Sequence, residues 1–265
     1  MQPSDKELVS VDQLPEDPLR MPPPYWRGSG AIFHILNALS DLESLLEELI
    51  PLNTATTVRL DAHYDKYPDE SSESEKALDE FADIRDSLWQ LEQKIRMKSE
   101  IACLMSAIQA EENLNQFCVF NIHRNIAESI EKLSPQEKLL VASSVLGHHD
   151  VKGTAPFESM QKLVKWRNAF VHGHCADRPT TSLRHNHLIS PPEYPGVKSG
   201  LNDTIQMVEA LLRIEAFLCS ISLNPYTASS SVEFREMERS VEKLSKYRID
   251  GNESAYEVTF DAVRT

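Results

Sequence analysis

Ala31-Ile32-Phe33-His34-Ile35-Leu36-Asn37-Ala38-Leu39-Ser40-Asp41-Leu42-Glu43-Ser44-Leu45-Leu46-Glu47-Glu48-Leu49-Ile50 decides the fold class. Ile32, Ile35, Leu36, Leu39, Leu42, Leu45, Leu46 and Leu49 recur there at steps of three and four, the period of an amphipathic helix. The same period returns from about Glu75, with Leu78, Phe81, Ala82, Ile84, Leu88, Leu91 and Ile95 as its stripe. A further stripe runs from Ile101 through Leu104, Met105, Ile108, Leu114, Phe117 and Val119 to Ile126, Ile130 and Leu133. No Pro or Gly interrupts it, so the reading is two long helices or one bent one. Leu201 to Leu223 predicts another helix, and Phe234, Met237, Val241 and Leu244 a last one. Nowhere do two β-branched runs flank a turn, and the chain has only 8 glycines. The expected architecture is an all-α, up-and-down helical bundle.

Punctuation sets the boundaries. Residues 1–29, rich in proline and acids, predict a disordered arm, and Tyr25 and Trp26 are placed to pin its end to the body. Residues 30–248 form the helical domain and 249–265 a tail. Residues 51–74, which end in the polar run Pro68-Asp69-Glu70-Ser71-Ser72-Glu73-Ser74, read as a linker or surface loop. Ser134-Pro135-Gln136-Glu137 is a capping-box pattern with proline at the first helical position, and its helix is expected to stop at Gly147. Pro156 opens another helix, whose inward residues are expected to be Phe157, Met160, Leu163, Val164, Phe170 and Val171, with Gly173 as its stop. Residues 174–199 are proline-rich and aperiodic, a long loop directly after that helix.

At 265 residues with a net charge of −14, the chain does not resemble a general DNA-coating protein, which would carry a basic face. Val151 to Lys198 departs from the average, with seven basic residues against three acids and four of the nine histidines. Cys103, Cys118, Cys175 and Cys219 show no paired spacing, and reduced thiols in a cytoplasmic protein are expected. No secretory leader and no apolar run long enough for a membrane span is read. Phosphate loops of P-loop or Rossmann type, HExxH and GxSxG are all missing, which leaves kinase, dehydrogenase and hydrolase readings without support.

Chemistry concentrates in Lys165-Trp166-Arg167-Asn168-Ala169-Phe170-Val171-His172-Gly173. An arginine fork holds a phosphate through two parallel hydrogen bonds, and a histidine gives or takes a proton near neutral pH. Together they suit metal-free phosphodiester cleavage. Asn168 and His172 are four apart and share a helix face. Arg167 is about 140° around the axis from His172 and needs its full length to reach the same ligand. Arg27 to His34 and Arg178 to His185 fit a looser spacing, but Gly28 and Pro179 follow those arginines in non-helical surroundings.

In this context Arg167, Asn168 and His172 resemble the motif of the HEPN superfamily. That motif is an arginine followed by a polar residue, with a histidine after four to six intervening positions. The helical pattern from Ala31 to Leu223 is compatible with that fold. The resemblance implies a HEPN-like helical bundle and a metal-independent endoribonuclease acting as a homodimer with two motifs facing one cleft. It also implies a toxin or stress-defence role, with a protein antitoxin or regulatory partner. Cleavage would proceed by 2′-hydroxyl attack, leaving a 2′,3′-cyclic phosphate. His172 would be the general base or acid, Arg167 would stabilise the phosphorane oxygens, and Asn168 would hold the histidine or a phosphate oxygen. Lys165 and His174 flank them as RNA-binding residues, and no cofactor or metal is expected. The family also contains non-catalytic modules that bind RNA, nucleotide or protein, and that is the other reading.

Plainer readings stand beside these. Arg167 also suits an ion pair, and His172 a cation at a helix C-terminus. Trp166 and Phe170 read as core or dimer-contact residues ahead of base-stacking platforms. His174, Cys175, His185 and His187 are zinc-ligand types without the spacing of a closed site. His148-His149-Asp150 reads as a solvated turn and His123-Arg124-Asn125 as a helix face. Glu111-Glu112 reads as a solvated face ahead of a carboxylate supplied to the motif.

Overall fold

A computed structural model describes residues 27–66, 82–172, 197–223 and 232–247. All regular structure among them is helical. The helices are α1 (Arg27–Lys66), α2 (Ala82–Asn121), α3 (Arg124–Ile130), α4 (Pro135–Val145), α5 (Ala155–His172), α6 (Val197–Ile221) and α7 (Val232–Ser245). Residues 1–26 of the expected disordered arm, Gly173, residues 174–196 of the expected loop, and the C-terminal tail lie outside the described residues. Residues 27–29, expected in the arm, and 197–199, expected in the loop, are instead helical, as the first turns of α1 and α6. No helix among the described residues is long and apolar enough to cross a membrane.

The stripe that predicted α1 is its buried face: Ile35, Leu39, Leu42, Leu46 and Leu49 are almost wholly shielded. The helix does not stop at Ile50, where a linker was expected, but continues through Pro51 to Lys66. Proline removes one N–H and frees the carbonyl four residues back. Beyond it the buried face is held by Asn53, Thr56 and His63, polar side chains that hide the period from a hydropathy reading. Thr54, Thr56 and Thr57 return their hydroxyls to the carbonyls of Ile50, Leu52 and Asn53.

The apolar positions from Ile101 to Leu133 leave the place of a break open, and the structure puts it after Asn121. The Asn121 side chain donates its Nδ2 to the Phe117 carbonyl, while its Oδ1 accepts from the Ser222 hydroxyl and the Leu223 amide just after α6. His123 is therefore not mid-face, as expected, but the N-cap of α3, its Nδ1 accepting from the Asn125 amide. The capping box at α4 forms as expected: the Ser134 hydroxyl accepts from the Glu137 amide, and the Glu137 carboxylate accepts from the Ser134 amide. The Ser134 hydroxyl, and after it the Ser134 amide, donate to the Glu137 carboxylate and hold its carboxyl below the usual range. Gly147, at φ 91°, closes the helix with bonds from His148 to Ser143 and from Gly147 to Ser144. His148, His149 and Asp150 follow as an exposed turn.

α1 packs on α2 and α7, and α6 packs on α2, α5 and α7. Ser99 lies against Gly200, Cys103 donates to Thr204, Asn113 donates to Glu215, and Asn121 accepts from Ser222. That constant offset means α2 and α6 run parallel. α5 runs opposite to α6, with Lys162 on Gln206 and Trp166 on Asp203. The core is continuous across these helices, from Leu39 and Leu114 to Leu163, Leu211 and Met237.

Candidate functional site

α5 buries Phe157, Met160 and Leu163 and half-buries Val164, as the period predicts. Arg167 stands four residues after Leu163 and seven after Met160, so it falls on the same core-facing line. An arginine on that line must reach a partner or leave the core, because an uncompensated buried cation is costly. Its Nη1 donates to the Oε2 of Glu111, reaching across from α2. Both side chains remain about a third open to solvent, 28% for the arginine and 33% for the glutamate. Nη2 points at the Asn168 Oδ1 at 3.4 Å, a long and weak hydrogen bond.

The structure therefore brings Arg167, Asn168 and Glu111 together at the C-terminal end of α5. Glu111 was read first as a solvated face; it is instead the acid that fixes the motif arginine. Asn168 and Lys165 are exposed. His172 is the last residue of α5, one turn beyond Asn168 on the same face, and its side chain is outside the described ones. His174, Cys175, His185 and His187 also lie outside the described residues, as does the Arg178–His185 pair, whereas Arg27 and His34, expected in non-helical surroundings, stand on the first turns of α1.

Val171, expected to face inward, is 56% exposed, because the apolar line of α5 runs on past the part that α2 and α6 cover among the described residues. Phe170 stacks on Trp166 with ring centroids 5.2 Å apart and planes within 10°. Trp166 packs on the core and donates its indole N–H to Asp203 of α6. Burial raises the Asp203 carboxyl, against the opposing pull of Trp166 and Lys162. The pair thus braces α5 against α6 beside Arg167.

A second polar cluster escaped the sequence reading. Gln109 donates to Asn113 at 2.6 Å, and Asn113 donates to the buried Glu215 at 2.7 Å. Cys219 adds a thiol hydrogen bond to the other carboxylate oxygen. Burial pushes the Glu215 carboxyl up to about 7, partly offset by Asn113 and Cys219. The signal was present: a glutamate falls among Val208, Leu211, Ile214 and Leu218, the buried stripe of α6. Lys138 of α4 is similarly buried and donates to Asn115 of α2 at 2.6 Å. Cys103 and Cys118 are buried free thiols, and burial pushes Cys118 up to about 11. Among the described residues no group of three or more His, Cys, Asp or Glu is placed to hold a metal ion.

Compared with protein-family models, with curated proteins and with solved structures, the chain gives no significant match in any of the three.

Proposed function

We propose that this protein is a metal-independent, HEPN-like endoribonuclease that cleaves RNA by attack of a 2′-hydroxyl on the adjacent phosphate, leaving 2′,3′-cyclic phosphate and 5′-hydroxyl ends. The observation that carries the reading is the Arg167 guanidinium, held by Glu111 at a half-open helix end, beside Asn168 and one turn before His172. A fixed cation with N–H donors is suited to charge developing on phosphorane oxygens. His172 supplies proton transfer, typically about 10²–10⁴ in rate. Asn168 orients the histidine or a phosphate oxygen, and Lys165 and His174 steady the RNA backbone.

Transesterification takes a proton from the 2′-hydroxyl and gives one to the departing 5′-oxygen. One motif holds one histidine, so the proposal includes a homodimer whose two motifs face one cleft. A cytoplasmic toxin or stress-defence role with a protein antitoxin or regulatory partner belongs to the same reading.

A second reading, a non-catalytic module that binds RNA, nucleotide or protein, draws on a specific observation. Glu111 already counters the charge of Arg167, and the chain as a whole is strongly acidic. The test is degradation of single-stranded RNA in EDTA by the wild type beside an R167A/H172A double variant. Loss of cleavage in a folded double variant is expected. Equal degradation by both would remove the nuclease assignment, and binding without cleavage by either would favour the module.

A further inference from the structure

Arg167 has five N–H donors on a long, flexible stem, and among the described residues Glu111 and Asn168 take one each. Ordering a free arginine side chain costs conformational entropy, so a guanidinium that must meet a phosphate gains from being fixed beforehand. The Glu111 contact joins Nη1 to a single carboxylate oxygen, Oε2. It anchors one end of the guanidinium without clamping both, and α2 supplies it from 56 residues away in sequence. The Asn168 bond, at 3.4 Å, is too long to do this alone.

We infer that Glu111 is the positioning residue of the motif, the carboxylate that presents Arg167 to a phosphodiester. The inference rests on the nuclease reading for its substrate but not for its geometry. Glu111 sits inside α2, two residues before Asn113, whose side chain bonds to Glu215 of α6, so the anchor belongs to the bundle and not to a loop. Positioning needs an acceptor more than it needs a charge. A carbonyl oxygen in the same place keeps the hydrogen bond at reduced strength and lifts the negative charge that a phosphate would meet.

The test compares E111A and E111Q, with steady-state cleavage of single-stranded RNA and with binding of a 2′-O-methyl oligonucleotide that cannot be cleaved. E111A is expected to lower kcat by roughly tenfold to a hundredfold, the scale of an ångström-level misplacement. E111Q is expected to stay within about threefold of the wild type. In an R167A background the E111A loss should vanish, because Glu111 acts through the arginine. Equal loss in both variants, a gain in both, or an E111A effect that survives in R167A would overturn the inference. If the wild type binds the 2′-O-methyl oligonucleotide but leaves RNA uncut, the nuclease reading falls. The positioning role is then read from binding, which E111A must weaken and E111Q keep. Neither cleavage nor binding by the wild type overturns both. Thermal unfolding of each variant separates a loss of fold from a loss of position.

Discussion

Arg167 shows how one residue serves two demands at once. Its place on the buried line of α5 requires compensation, and the compensation comes from an acid that leaves part of the guanidinium in solvent. Lysine has a single ammonium and lacks the planar fork. R167K is therefore expected to lower kcat by about 10²–10³, the cost of losing an aimed donor at a developing oxyanion, with thermal stability nearly unchanged. Steady-state cleavage alongside thermal melting would check this, and a variant that cleaves at wild-type rate would remove Arg167 from the reaction. Asn168 is exposed and only weakly bonded, so N168A is expected to cost less, about tenfold. Helical spacing made the neighbourhood of Arg167 and Asn168 legible in the sequence. It did not reveal Glu111 as the anchor, because a contact between helices 56 residues apart leaves no local pattern.

At the scale of elements, the informative feature is the polar seam between the parallel helices α2 and α6. Gln109, Asn113 and Glu215 form a hydrogen-bonded chain inside an otherwise apolar contact, and the Gln109 Oε1 ends it without a partner among the described residues. Burial has raised Glu215 from its ordinary value of 4.5 to about 7, so folding takes up a proton between those values. The associated stability is present in full below the unfolded value and is lost as pH rises through about 7. E215Q keeps the shape without the charge. It should be more stable than the wild type at pH 8 by up to about 3 kcal/mol and should lose that advantage near pH 4. Urea unfolding across that range checks it, and parallel curves for the two proteins would refute it. The capping box makes a simpler prediction. S134A removes the acceptor for the Glu137 amide and should cost about 1 kcal/mol in the same assay. The helices of the described residues were largely legible from apolar period, caps and stop signals. The continuation of α1 past Pro51 was not, because Asn53, Thr56 and His63 replace the apolar residues that would have marked it. A break before Leu133 was expected, but its place was not legible for a related reason. It falls where the Asn121 side chain bonds to Ser222 and Leu223 just after α6, not at a proline or glycine.

For the whole molecule, the net charge of −14 and the motif pull in opposite directions. A net negative charge repels RNA at long range, so under the proposed function binding would come from a few close phosphate contacts. A shallow salt dependence follows, with log affinity falling by roughly 0.7 per contact per decade of salt. The helical architecture of the described residues was legible because hydropathy repeats on one period through most of their helices. The nuclease assignment is tested most directly by incubating labelled single-stranded RNA with the protein in EDTA and determining the chemistry of the new ends, wild type beside H172A. The wild type is expected to leave 2′,3′-cyclic phosphate and 5′-hydroxyl ends, with no cleavage at a position carrying a 2′-deoxy sugar and near-complete loss in H172A. Cleavage undiminished in H172A, cleavage at the 2′-deoxy position, or intact RNA after incubation with folded wild-type protein would contradict the assignment.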